Sequence, residues 1–288
     1  MFQIKKLFYE FSSPLDMGLH KDVPVITFRG AFGYALAQVI ARSGCIPSLE
    51  SQVAIYRRFF MPQQDGTYSS RNLDLARPFV MRGFYSRPDY RSFILEIVLF
   101  GAAIEHEIFF DKVVEVMSYM GIGKYNRVCH FEKLDSVLCE IPSPEISSLL
   151  QVDFITPCAK LKHNGRIYED CIPFYVLLPR LVDRLIELDN LYGDGSFAQT
   201  WDIAGMKHQS RLVADTILSG GCYHAKRVSG RTGQEMNLSG FTGSILYDGD
   251  FSPFREVLKY LPFINLGRFN VFGCGWCSAK FIPTDDLQ

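Results

Sequence analysis

The residues best suited to chemistry on an anion lie near the end of the chain, in Gly267-Arg268-Phe269-Asn270-Val271-Phe272-Gly273-Cys274-Gly275. Three glycines at GxxxxxGxG spacing surround one arginine. Such a loop lets backbone N–H groups approach a phosphate with no Cβ in the way, and Arg268 adds a charge-assisted contact. For the glycines alone, a tight structural turn is the competing reading. Upstream, His224, Lys226, Arg227 and Arg231 crowd into eight positions. If that stretch is extended, Arg227 and Arg231 project from one side and reach the same polyanionic strand; a solvated edge is the alternative.

Imidazoles are the usual acids and bases near neutrality. Six histidines are present, yet none lies between Lys21 and Glu105. His20 falls in the loop before the first helical pattern, while His106, His130 and His163 read as structural or solvated. Eight cysteines are scattered, and only Cys274 and Cys277 have the x₂ spacing of a metal half-site. With no second such pair and Trp276 between them, they read as buried reduced thiols, with no metal and no cofactor expected. GxxxxGK[ST], HExxH and GxSxG motifs do not occur.

These residues must be held by a core, and the composition supplies one. Hydrophobic residues make up 48% of the 288 and aromatics 14%, including 24 Phe. This implies a chain that folds throughout and is long enough for two ordinary domains. The net charge of −1 and a pI near 6.6 exclude a bulk electrostatic footprint for nucleic acid. Any basic surface must therefore be local, and Lys207 to Arg231 is the best candidate. No apolar run reaches the roughly 18 residues of a membrane span, and no signal-like segment opens the sequence, so a cytoplasmic protein is expected.

Periodicity predicts a strand over Phe2–Ser12 and a helix over Thr27–Ser43, with Phe28, Phe32, Ala35, Leu36, Val39 and Ile40 inward and Tyr34 and Gln38 outward. The stretch Ile46–Pro88 reads as an irregular insertion with one strand near Leu75–Met81. A buried strand follows over Ser92–Leu99, then a helix to Met120 burying Phe109, Val113, Val116, Met117 and Met120, then a strand over Arg127–Lys133. The second half repeats the order. It has a strand Phe154–Leu161, a helix Pro173–Leu191, strands Arg211–Leu218, Tyr223–Ser229 and Phe241–Tyr247, a short helix Pro253–Tyr260 and a last strand Gly275–Ile282. An α+β chain of two tandem β-α-β-β-α-β units, each ferredoxin-like, is the fold expected. The Pro142-Ser143-Pro144 cluster sets the boundary, giving domains 1–145 and 146–288.

Three stretches together resemble a known family. The glycine-rich loop resembles that of the RAMP superfamily. The run Arg227-Val228-Ser229-Gly230-Arg231, with Gly240-Phe241-Thr242-Gly243, resembles the C-terminal domain of that superfamily's CRISPR precursor-RNA endoribonucleases. Phe28-Arg29-Gly30-Ala31-Phe32-Gly33-Tyr34 resembles the start of their first helix. The resemblance implies binding of CRISPR repeat RNA and metal-independent cleavage by the neighbouring 2′-hydroxyl, leaving a cyclic phosphate. It places Gly267, Arg268, Gly273, Gly275, His224, Lys226, Arg227 and Arg231 against RNA. It makes Tyr34, His20 and Arg29 the catalytic candidates. The histidine such enzymes carry in or just after the first helix is absent here. A phenol with an ordinary pKa of about 10 is a poor base without a nearby cation. The alternative implied is a non-catalytic subunit that holds CRISPR RNA (crRNA) inside an effector complex with other CRISPR subunits.

Overall fold

A computed structural model describes residues 2–20, 23–42, 75–228, 233 and 235–283. Contacts divide the chain into two compact units, one of Met1–Cys139 with Glu187–Gly195, the other of Glu140–Ile186 with Ser196–Gln288.

In the first unit the elements run β1 (Ile4–Ser12), α1 (Val25–Arg42), β2 (Phe79–Tyr85), β3 (Ser92–Phe100), α2 (Glu107–Met120) and β4 (His130–Leu138). Their strands form one antiparallel sheet in the order β2-β3-β1-β4, the ferredoxin-like arrangement. Alternation along β1 buries Leu7, Tyr9 and Phe11 completely. The apolar stripe of α1 meets that face through rings: Phe11 and Phe28 lie 5.0 Å apart, Phe28 and Phe93 4.5 Å, and Phe32 and Phe79 5.8 Å. An ion-pair network ties α2 to the sheet, with Lys133 bridging Glu107 (2.8 Å) and Asp111 (2.7 Å) while the Tyr9 hydroxyl donates to Asp111 (2.8 Å).

Two expectations change here. Phe110, not Phe109, enters the core, and Met120 is 41% exposed. A 3₁₀ turn over Gly101–His106 delays the start of α2, while Val113, Val116 and Met117 are buried as expected. The last strand begins at His130 instead of Arg127, because Ile122 and Arg127 first close a bridged turn. The middle strand runs Phe79–Tyr85, and most of the expected 46–88 insertion lies outside the described residues.

The second unit opens with β5 (Leu149–Ala159), the hairpin β6 (Leu161–His163) and β7 (Arg166–Tyr168), and α3 (Phe174–Tyr192). It continues through α4 (Phe197–Thr200), α5 (Ile203–Gln209), β8 (Ala214–Tyr223) and a second hairpin, β9 (Lys226–Val228) with β10 (Glu235–Asn237). The unit closes with β11 (Gly240–Asp248), α6 (Arg255–Leu258) and β12 (Cys277–Ile282). Its main sheet, β12-β5-β11-β8, repeats the strand order of the first unit. Phe174, Leu177, Leu178, Leu181, Leu185 and Leu188 of α3 are all fully buried, as their spacing implies.

The expected break between strands at Ser219–Cys222 is not a break. Gly220 (φ +92°) sits inside β8 opposite Gly243 (φ +132°), and a Cβ on Gly220 would fall 2.0 Å from the Thr242 carbonyl oxygen. The glycines permit close approach of β8 and β11 at a register shift and do not mark a turn. The predicted strand Tyr223–Ser229 accordingly divides between the end of β8 and the separate hairpin strand β9. The expected helix over Pro253–Tyr260 is shortened to one turn.

Candidate functional site

The glycine-rich loop is built by backbone economy around β5. Gly275 and Gly267 adopt φ of +76° and +77°, and a Cβ would meet the Leu266 carbonyl oxygen at 1.8 Å and the Ala159 carbonyl oxygen at 2.5 Å. Both positions demand glycine. The Arg268 N–H donates to the Ala159 carbonyl (2.8 Å) and the Gly275 N–H to the Pro157 carbonyl (2.9 Å), so the loop is stitched to the end of β5. Thr156 adds two bonds, its hydroxyl donating to the Gly273 carbonyl (2.6 Å) and accepting from the Trp276 N–H (2.9 Å). Asn265 is fully buried, and its amide donates to the Cys274 carbonyl (3.1 Å); Asn270 donates in turn to the Asn265 carbonyl (2.6 Å). Internal partners therefore take up the N–H groups of Arg268, Phe272, Gly273, Cys274 and Gly275. What the loop shows to solvent is mainly side chain.

Beside the loop lies an open cleft of about 430 Å³, lined by Lys160, Lys162, Arg180, Arg184 and Arg268 together with Asn164, Asn265 and Gly267. Among the described residues five cations line it and no carboxylate does. Arg180 leans on Asp183 (2.6 Å) just outside the lining, which offsets part of its charge. A chain with a net charge of −1 thus carries a concentrated positive site.

Four of the five cations escape the sequence reading, which favoured Lys207–Arg231. Two signals were present. Lys160 and Lys162 alternate at a strand end, and Arg180 and Arg184 stand four apart on one face of α3. His163 lies next to this cleft with its ring 6.1 Å from that of Tyr175. Burial, and then the Arg180 guanidinium, hold its imidazole below the usual pKa.

The structure joins part of the predicted binding set. Arg227 on β9 lies over the Phe272 ring, 4.8 Å from its centroid, which brings the hairpin to the loop. Partial burial lowers the pKa of that guanidinium. Lys226 is exposed and pairs across the hairpin with Glu235 (2.8 Å), and His224 is exposed near Cys222 (3.8 Å between Sγ and Nδ1). Arg231 lies outside the described residues. Gly273 and Gly275 are buried and shape the loop. Cys158, Cys274 and Cys277 are buried beneath it, and burial pushes the Cys274 thiol up to about 12. Among the described residues no group of three or more His, Cys, Asp or Glu is arranged to hold a metal.

The catalytic candidates all belong to the first unit and do not form one cluster. Tyr34 projects from α1 and is 60% exposed. Arg29 is half-buried five residues earlier, roughly 140° around the helix at ~100° per residue. His20 sits at the helix start. Its Nδ1 accepts the Val23 N–H (3.2 Å) and its own N–H donates to the Thr27 hydroxyl (3.4 Å). That bond assigns the neutral ring proton to Nε2. Thr27 precedes Tyr34 by seven residues, about 10 Å along the axis, so His20 and Tyr34 are not a preassembled acid–base pair.

Comparison with known proteins finds two family matches. A model described as the CRISPR-associated endoribonuclease Cas6 matches residues 152–277, and one described as an N-terminal domain matches 6–148. Among solved structures, a Cas6 product complex aligns over 97% of this chain and 99% of its own, with a TM-score of 0.56 at 13% identity. Thermus thermophilus Cse3 bound to an RNA representing a pre-cleavage complex aligns over 97% and 98%, with a TM-score of 0.38 at 12% identity. Escherichia coli Cas6e aligns over 98% and 100%, with a TM-score of 0.31 at 11% identity. No curated protein sequence matches. The first alignment establishes a shared fold. No helix among the described residues is long and apolar enough to cross a membrane.

Proposed function

As residues 152–277 match the model of the Cas6 CRISPR-associated endoribonucleases, we propose that the loop-side cleft holds CRISPR repeat RNA for cleavage, with Tyr34, His20 and Arg29 as the catalytic candidates. One observation carries the reading: among the described residues, five cations with no carboxylate line a cleft continuous with a rigid glycine-rich loop, in a protein of nearly zero net charge. Such a site fits a polyanion and is poorly matched to a neutral small molecule.

The reaction proposed is attack of a 2′-hydroxyl on the adjacent phosphorus, forming a 2′,3′-cyclic phosphate and releasing a 5′-hydroxyl. The proton leaves the 2′-oxygen and one is delivered to the departing 5′-oxygen, so water and metal are not consumed. Lys160, Lys162 and Arg268 are suited to hold backbone phosphates of the bound RNA. Tyr34, aimed at solvent from α1, is suited to orient the attacking hydroxyl. His20, with Nδ1 accepting from the Val23 N–H, presents Nε2–H as a donor.

The test is repeat RNA in EDTA beside the same RNA carrying a 2′-deoxy nucleotide at the cut. Cleavage of the first and not the second is expected. Cutting of the deoxy substrate, or a strict need for divalent metal, would remove the mechanism. A second reading, a subunit that holds crRNA without cutting, is favoured by the separation of His20, which precedes α1, from Tyr34 within it. It predicts tight binding with no product, unchanged by Tyr34→Phe or His20→Ala.

A further inference from the structure

Phe269 and Phe272 keep part of their surface accessible, as Phe263 and Phe281 also do in this unit. In the same unit Phe154, Phe174, Phe241, Phe251 and Phe254 are each at most 2% exposed, whereas both loop rings are only half-buried. Phe269 also holds a left-handed backbone (φ +63°), a conformation a residue with a Cβ adopts at a cost. The two rings stand edge to face, 6.1 Å apart at 76°. Each carries a cation: Lys160 lies 5.6 Å from the Phe269 centroid, and Arg227 lies 4.8 Å from that of Phe272. Lys160 itself is left-handed (φ +49°) and lines the basic cleft as well. With most of the loop's N–H groups used internally, rings and cations are what remains to meet a ligand.

Given the reading above that this cleft holds repeat RNA, on which the inference rests, we propose that Phe269 and the Arg227–Phe272 stack form a platform for unpaired nucleobases. Aromatic rings and guanidinium planes accept the faces of splayed bases, and a flanking lysine meets the adjoining phosphate. Chemically this is a single-stranded site: a base inside a duplex cannot present its face to a ring. The cleft would then grip backbone while the platform fixes which nucleotide sits beside it, so the platform sets register where the cleft supplies general affinity.

The experiment is an abasic scan along the repeat RNA with the unmodified protein, read by fluorescence anisotropy, repeated with Phe269→Leu and Phe269→Tyr. One or two positions should lose about five- to 150-fold in affinity when made abasic, the range of one base–aromatic stack. Phe269→Leu should lose a similar factor on intact RNA, show no further loss at the abasic position, and keep the salt dependence of the parent. Phe269→Tyr should retain affinity. An abasic scan that is flat at every position overturns the platform even if the leucine variant misfolds. Equal affinity of parent and Phe269→Leu for intact RNA overturns it too. In both cases RNA binding itself stands. Failure of the unmodified protein to bind repeat RNA at all would instead sink the functional reading, and the platform with it.

Discussion

Replacing Lys160 and Lys162 together by glutamine perturbs the basic cleft while leaving its shape nearly intact. Both lysines line it, and neither forms an ion pair among the described residues, so the double variant exposes no orphaned carboxylate. On single-stranded nucleic acid each neutralised phosphate adds about −0.7 to the slope of log K against log salt. Five cations bound the cleft's share at about −3.5, and the Asp183 carboxylate 2.6 Å from Arg180 reduces it. Losing two lysines should make the slope shallower by about 1.4. Between 50 and 200 mM salt the parent's affinity should fall correspondingly more than the variant's, and the two should converge as salt rises. Anisotropy titrations of labelled repeat RNA at four or five KCl concentrations give both slopes. A double variant whose slope matches the parent's, with both proteins folded by circular dichroism, would refute the assignment of these lysines to phosphate.

Other outcomes follow from the same contacts. Thr156→Val keeps the side-chain shape but removes the bonds to the Gly273 carbonyl and the Trp276 N–H, so it should cost about 1–3 kcal/mol in urea unfolding and weaken RNA binding through the loop. An unchanged urea midpoint would show that the loop does not depend on that hydroxyl. Glu107 feels a burial penalty that its bonds to Lys133, Lys5 and Ser136 outweigh, which holds its carboxyl at about 2 against an ordinary 4.5. A depressed folded value stabilises above the unfolded pKa, so this stability is present above about 4.5 and lost as pH falls toward 2. Screened by solvent, it amounts to about 1–2 kcal/mol. Urea midpoints at pH 6, 4 and 3 should fall more steeply for the parent than for Glu107→Gln, and a steeper fall in the variant would contradict the network.

How legible the fold was depends on how local each signal is. Element order and the inward stripes of α1 and α3 follow from periodicity, since Phe28, Phe32 and Leu36, and the leucines of α3, face one way whatever surrounds them. The start of α2 was not legible, because a 3₁₀ turn precedes it; Val113, Val116 and Met117 face inward as expected, but Phe110 takes the place of Phe109 at the first turn. Gly220 misled because a glycine that permits close strand approach looks in sequence like one that turns the chain. At the site, the loop's glycines announce an unusual backbone, but not that its N–H groups are spent partly on β5 and partly within the loop itself. The basic cleft was hidden because its cations come from β5–β6, α3 and the loop, far apart in sequence and diluted by an even charge balance. Only the turn at the end of β5 and the helix that follows bring them to one place.

The most direct measurement is photocrosslinking of repeat RNA carrying 4-thiouridine at each position in turn, with the attached peptides identified by mass spectrometry. Crosslinks on the segments holding Lys160–Lys162, Arg227 and Arg268–Phe272 are predicted, concentrated at the nucleotides whose abasic forms bind weakly. Efficient crosslinking confined to segments of the first unit, with none on the loop or the cleft beside it, would contradict the account.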